Sequence, residues 1–83
     1  NQDVVIYAVG SRREVLRLTG GGDEAALDWS PRGDRLLSYS TDGTVRIWSP
    51  QHAECLAVLE CGYEVSSARW SPEGDAIAAL LLS

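Results

Sequence analysis

The sequence predicts an all-β protein built from four-stranded antiparallel sheets, and three observations carry that prediction. The hexapeptide Trp29–Asp34 recurs with one change as Trp70–Asp75, 41 residues later. Other apolar and glycine positions match at the same offset without a gap, which indicates two copies of one structural unit. Each unit alternates short β-rich stretches with Gly, Pro and Asp, as strands and tight turns do.

Each strand is justified by its composition and by the turn that ends it. Thr44–Trp48 alternates apolar and polar residues, and Asp42-Gly43 before it suits a tight turn because both residues tolerate positive φ. Ser30–Gly33 forms a second turn, with Pro at its first central position. The predicted strands are 3–9, 14–18, 24–30, 35–40, 44–49, 55–60, 65–71 and 76–82.

The strings Trp29–Asp34 and Thr41–Ser49 resemble the WD40-repeat β-propeller family, with Ser49 where that family usually has Asp. The resemblance covers nearly the whole chain and implies two consecutive, divergent repeats. It implies that 1–83 is part of one WD-repeat propeller, with 1–41 as the first repeat unit and 42–83 as the second. The strand order of that family's blades, set against the predicted strands, implies four-stranded antiparallel β-propeller blades. The chain would then hold one complete blade flanked by two half-blades.

The resemblance also implies structural roles for particular side chains: Trp29, Ser38, Asp42, Trp48 and Trp70. The family's polar tetrad contains a His in the loop before the innermost strand, where this chain has Gly20 and Cys61. We therefore expect the Trp48 indole and the Asp42 carboxylate to have fewer hydrogen-bond partners. The tryptophans are expected to pack between strands and blades, because each indole can bury a large apolar area.

Composition disfavours several classes of function. The chain has 83 residues, with 12 acidic against 7 basic side chains and a net charge of −5. Nucleic acid is not an expected partner, because binding to phosphates needs clustered cations. The longest apolar run, 76–82, is far shorter than the roughly 20 residues of a membrane-spanning helix. No signal peptide is expected, and the first residue, Asn1, suggests an excerpt of a longer protein.

The residue types that carry catalysis or bind cofactors form no recognisable constellation. His52 is the one histidine, and Gly20–Gly22 lacks the Lys-Ser/Thr that follows a phosphate-binding loop. Cys55 and Cys61 are too far apart on one strand for a disulfide, so we expect reduced, buried or half-buried thiols in an intracellular, cytoplasmic protein. We expect no enzyme activity, no metal and no cofactor.

The resemblance implies that partners bind at the rim shared by the loops before the innermost strands and the turns of the central hairpins, which is the family's usual partner-binding face. Its candidate partner-binding residues are Asp23, Glu24, Thr41, Tyr63 and Glu64, with Tyr63 favoured because Tyr is enriched at interface centres. Packing of Tyr63 against its own blade is the alternative. The predicted function is a non-catalytic protein-interaction scaffold in a multiprotein assembly.

A second function remains open from the sequence. Two repeats leave apolar edges uncovered, so either a longer propeller supplies the missing strands or copies associate head to tail, with 76–82 of one chain beside 3–9 of the next. The second possibility predicts a self-assembling propeller of two-blade protomers, possibly one that binds a ligand.

Overall fold

Eight β-strands account for the regular structure of the described residues. The structure is a computed structural model that describes residues 4–18 and 24–82, without the side chains of Glu24 and Ala25. In chain order the strands are β1 (Val4–Tyr7), β2 (Glu14–Leu18), β3 (Glu24–Trp29), β4 (Leu36–Ser40), β5 (Thr44–Ser49), β6 (Glu54–Glu60), β7 (Glu64–Trp70) and β8 (Ile77–Leu82). No helix occurs within these described ranges, and the all-β prediction is confirmed.

The strands form three antiparallel sheets that follow one another along the chain. β3, β4, β5 and β6 make a complete four-stranded sheet, here called the middle sheet. β1–β2 form the first sheet and β7–β8 the last sheet, each with two strands. At the centre of the middle sheet, Leu36 lies opposite Trp48 and Tyr39 opposite Val45. This is the predicted arrangement of one complete unit between two halves.

The predicted strand limits agree with the structure to within one residue, except in the first strand. Residues 3–9 were predicted, but β1 ends at Tyr7 and residue 3 lies outside the described ranges. The strand ends because Ala8 enters a tight turn, in which its N–H donates to the carbonyl of Arg13 (2.9 Å) and its carbonyl accepts from the N–H of Arg12 (2.8 Å). The apolar side chain of Val9 misled the prediction, and it is 92% exposed.

The middle sheet is apolar on both faces, because successive side chains of a strand point in opposite directions. Leu36 faces the first sheet and Leu37 faces the last sheet. The cluster against the first sheet contains Val4, Leu18, Leu36 and Trp48, and the cluster against the last sheet contains Leu37, Val45, Val65 and Ala68. Packing between sheets therefore forms the core.

Burial at a given repeat position depends on the neighbouring sheet. Leu18 and Leu59 stand 41 residues apart at equivalent positions of β2 and β6. Leu18 lies against Leu36 and Trp48 and is 1% exposed, whereas Leu59 is 45% exposed. The difference follows from strand count: a complete sheet lies beside β2, and only two described strands lie beyond β6.

Candidate partner-binding rim

Two connections meet at one edge of the middle sheet. The turn 41–43 joins β4 to β5, and the loop 61–63 joins β6 to β7. The backbone N–H of Cys61 donates to the carbonyl of Gly43 at 2.8 Å, which holds the two connections together. Gly43 has φ +94°, and a Cβ there would lie 3.0 Å from the Tyr63 carbonyl oxygen. A residue with a side chain at position 43 would therefore be strained and would push the loop away.

We call residues 41–43 and 61–64 the Tyr63 rim. Tyr63 is 54% exposed although its backbone contacts Gly43. Thr41 and Glu64 are also exposed. Of the other sequence-predicted rim residues, Asp23 lies outside the described residues, and Glu24 is described only as the first residue of β3. The structure thus brings Thr41, Tyr63 and Glu64 to one edge.

Asp42 organises the turn of the Tyr63 rim. Its carboxylate accepts hydrogen bonds from the Thr44 hydroxyl (2.7 Å) and from the Thr44 backbone N–H (3.0 Å). Its own N–H donates to the Ser40 hydroxyl at 3.2 Å. The bonds from Thr44 hold the pKa of Asp42 below its usual value, and the nearby Arg46 guanidinium adds to the effect. The turn therefore presents an ionised carboxylate at neutral pH.

Trp48 and Ser38 form a buried pair within the middle sheet. The Trp48 indole N–H donates to the Ser38 hydroxyl at 2.9 Å, and both residues are almost fully buried. Asp42 bonds to Thr44 and does not join this pair. The Trp48 indole N–H and the Asp42 carboxylate therefore each have a hydrogen-bond partner within their own hairpin. Ser49 is also buried, and its hydroxyl has no hydrogen-bond partner among the described residues.

Trp70 joins the last sheet to the middle sheet through hydrogen bonds to Asp28, a partner that the sequence pattern did not indicate. Its backbone N–H donates to the Asp28 carboxylate and its indole N–H to the Asp28 carbonyl, both at 3.1 Å. Trp29 holds the same repeat position but is 47% exposed. No described strand lies beside β3 in the way that β3 lies beside β7. The packing of Trp29 between blades therefore stays a prediction.

The opposite edge of the sheets carries the other connections. Residues 8–13, 30–35, 50–53 and 71–76 form turns there. In two of them a Ser hydroxyl donates to an Asp carboxylate, Ser30 to Asp34 at 2.9 Å and Ser71 to Asp75 at 3.0 Å. The bond from Ser30 holds the pKa of Asp34 below its usual value. The repeated hexapeptide therefore encodes a repeated turn.

Few residue groups on the described chain have catalytic or ligand-binding character. Among residues 4–18 and 24–82, no three metal-ligating side chains converge. In the same part of the chain, no helix could span a membrane. Both cysteines are free. Cys61 is half-buried as expected, but Cys55 is exposed, because no described strand covers the outer strand β6 at that point.

Comparison with known proteins identifies WD-repeat relatives. A family model described as "WD domain, G-beta repeat" matches residues 13–49. The chain is 33% identical over 69 residues to WD repeat-containing protein AAC3 of Dictyostelium discoideum, an alignment that covers 81% of this chain and 14% of the relative. It is 34% identical over 76 residues to U3 small nucleolar RNA-associated protein 21 of Saccharomyces cerevisiae, covering 90% of this chain and 8% of the relative.

A solved structure shows the same architecture. The β-propeller domain of Cps50 (Swd1) from Myceliophteria thermophila superposes with a TM-score of 0.86 and 26% sequence identity. The superposition covers 96% of this chain and 26% of that one. The chain therefore spans about a quarter of the solved propeller and a small fraction of each curated relative.

Proposed function

Because the chain belongs to the WD40-repeat β-propeller family, we propose that it is a non-catalytic scaffold whose Tyr63 rim binds other proteins in a multiprotein assembly. In this proposal residues 1–83 are part of one propeller, with repeat units 1–41 and 42–83. The name of the yeast relative refers to a small nucleolar RNA, which supports an intracellular location. It favours the nucleolus over the cytoplasm as the compartment to examine first.

One observation is the main reason for proposing the Tyr63 rim as the partner-binding surface. Tyr63 is 54% exposed on a loop that a backbone hydrogen bond holds to the neighbouring turn. A large side chain on a fixed backbone loses little conformational entropy when a partner covers it, and this favours binding. Tyrosines in such positions often dominate the energy of an interface.

The proposal is tested by changing Tyr63 in the full-length protein. Proteins that copurify with the wild type are quantified by mass spectrometry and compared with those recovered by Tyr63→Ala and by His52→Ala. His52 is exposed in the turn 50–53 on the opposite edge, so it serves as the matched control. We expect Tyr63→Ala to lower recovery of at least one partner by about tenfold or more. Unchanged recovery with an unchanged circular dichroism spectrum would remove the rim from consideration.

Self-assembly is a second candidate, favoured by apolar side chains on the outer sheets. Leu80 and Leu82 of β8 are 60% and 53% exposed, and Tyr7 of β1 is 61% exposed. Two copies could pair β8 with β1 and cover these side chains. Light scattering on the purified protein would then give a multiple of the single-chain mass, and Leu80→Glu would restore the single-chain mass. A single-chain mass for the wild type at all concentrations would exclude this candidate.

A further inference from the structure

The outer strand of the middle sheet, β6, has one free edge. β6 is the fourth strand of a complete sheet, and among the described residues it pairs with β5 alone. A two-stranded sheet is completed by strands added at its own edges, so completing the first and last sheets would leave the edge of β6 as it is. The free edge therefore belongs to the complete sheet and does not depend on the strand count of its neighbours.

This edge presents unpaired backbone groups. The N–H of Cys61 donates to the carbonyl of Gly43, so the backbone of Cys61 faces the side of β5. Because the backbone groups of successive residues in a strand point to opposite sides, the N–H and carbonyl groups of Val58 and Glu60 point away from β5. No described strand lies on that side. A row of free donors and acceptors of this kind is a template for another strand.

The centre of β6 is apolar and exposed. Leu56 and Val58 are 44% and 48% exposed. Val58 lies opposite Arg46, which follows Val45, and Val45 faces the last sheet. The Val58 side chain is therefore on the other face, toward the first sheet, which already covers Trp48. Val58 stays exposed although that neighbouring sheet is present.

The equivalent outer strand of the first sheet, β2, carries a pair of charges. At the offset of 41 residues, Glu14 corresponds to Cys55 and Arg17 to Val58. The Arg17 guanidinium donates two hydrogen bonds to the Glu14 carboxylate, at 2.8 and 3.0 Å. Charged side chains on an edge strand oppose pairing with another chain. β6 has a thiol and an aliphatic side chain at the two positions, so it lacks this protection.

Acidic residues at both ends of β6 indicate the charge of a partner. Glu54 and Glu60 are the first and last residues of the strand, and all residues between them are uncharged. Both are exposed, and neither carboxylate has a hydrogen-bond or ion-pair partner in the described part of the chain. Two copies of β6 paired antiparallel about Ala57 would place Glu54 opposite Glu60, and like charges directly opposite are destabilising. The charges therefore disfavour a second copy of this chain and favour a segment with basic ends.

We propose that β6 accepts an extended segment of a partner protein as a fifth strand of the middle sheet. The segment has apolar residues at its centre, beside Leu56 and Val58, and Lys or Arg at both ends, beside Glu54 and Glu60. Main-chain hydrogen bonds to the free edge supply affinity, and the side chains supply specificity. The surface does not include the Tyr63 side chain, so this proposal and the Tyr63 rim can fail independently.

Fluorescence anisotropy tests the proposal on the full-length protein. The probe is a fluorescein-labelled undecapeptide with seven alternating Val and Thr residues between two Lys at each end. One control peptide has Glu in place of Lys, and the other has Pro in place of Thr, because proline lacks the N–H that a strand ladder needs. We expect saturable binding of the probe and affinities at least about tenfold lower for both control peptides. The absence of saturable binding, or equal binding of the three peptides, would overturn the proposal.

Matched variants locate the binding. Cys55→Glu with Val58→Arg gives β6 the charged pair of β2, so the double variant should fold and should weaken the probe by about tenfold or more. Glu54→Gln with Glu60→Gln should abolish the preference for the Lys peptide over the Glu peptide. Val9→Glu is the control, since Val9 is 92% exposed in the turn between β1 and β2. An unchanged affinity of the first double variant, an unchanged preference of the second, or an equal loss for Val9→Glu would contradict the assignment.

Thiol labelling asks whether β6 is open in the full-length protein. Cys55 is a free, exposed cysteine of this strand, and its reaction with a maleimide is timed by mass spectrometry of the peptide that contains it. We expect rapid labelling that the Lys probe slows. Labelling only after denaturation would mean that the protein's own polypeptide covers β6, and labelling that slows as the protein concentration rises would mean that a second copy does. Either result overturns the proposal.

Discussion

Two buried serines of the middle sheet differ in what their hydroxyl groups contact. The Ser38 hydroxyl accepts a hydrogen bond from Trp48, whereas the Ser49 hydroxyl has no partner in the part of the chain that the structure describes. Ser38→Ala leaves the buried indole N–H unpaired and should lower the free energy of unfolding by about 1–3 kcal/mol. Ser49→Ala removes an unpaired polar group and should be neutral or stabilising. Urea unfolding of the two variants checks this contrast, and equal losses would contradict it.

Ala53 has a backbone conformation that favours glycine. Its φ is +54° in the turn between β5 and β6, a region where a Cβ is unfavourable. Ala53→Gly should therefore raise the free energy of unfolding by about 0.5–1 kcal/mol, after the greater chain entropy of Gly is subtracted. Ala57→Gly, within the extended strand β6, is the control and should destabilise by a similar amount. Thermal unfolding that shows a loss for both variants would refute the role of φ.

Asp42 gives the stability a dependence on pH. Because hydrogen bonds from Thr44 lower its pKa in the folded state, folding favours the ionised form. This contribution is fully present above the pKa of the unfolded chain, about 3.9, and is lost as the pH falls through the lower folded value. Asp42→Asn should therefore lose less stability than the wild type between about pH 5 and about pH 2. The free energy of unfolding of both proteins is measured by urea titration at each pH. Equal losses for Asp42→Asn and the wild type would count against this account.

At the scale of the strands, the contact between β3 and β7 holds one sheet to the next. Asp28 accepts two hydrogen bonds from Trp70, one of them on its carboxylate. Asp28→Ala should destabilise by about 1 kcal/mol and speed amide exchange at Trp70, whereas Asp28→Asn keeps an oxygen acceptor and should have a smaller effect. Arg69→Ala, at the equivalent position of the next unit, is the control. The amide exchange at Trp70 is measured by mass spectrometry. Equal exchange rates in all three variants would refute the contact.

The strands could be predicted from the sequence because their signals are local. The turn at Ser30–Gly33 and the alternation of Thr44–Trp48 each depend on neighbouring residues, and the repeat supplied each signal twice. The end of β1 was missed because Val9 looks like a strand residue, while the turn is set by hydrogen bonds of Ala8. The 47% exposure of Trp29 within the described residues depends on which strands lie beside β3, and periodicity carries no such information.

At the scale of the whole molecule, the position of the candidate site could be predicted but its details could not. The strand order alone brings 41–43 and 61–64 to one edge, because alternate connections of an antiparallel sheet share an edge. The hydrogen bond from Cys61 to Gly43 that joins them required coordinates. Sites between sheets depend on packing, which a single sequence does not display.

The Tyr63 rim is the central functional assignment, and photo-crosslinking tests it most directly. Tyr63 is replaced by p-benzoylphenylalanine in the full-length protein, which keeps an aromatic ring at the exposed position. The same residue at position 52, on the opposite edge, serves as the control. Irradiation of the protein with its natural partners present should join position 63 to another protein, with little product from position 52. Cross-links from position 63 to its own chain alone, or equal products from both positions, would contradict the account.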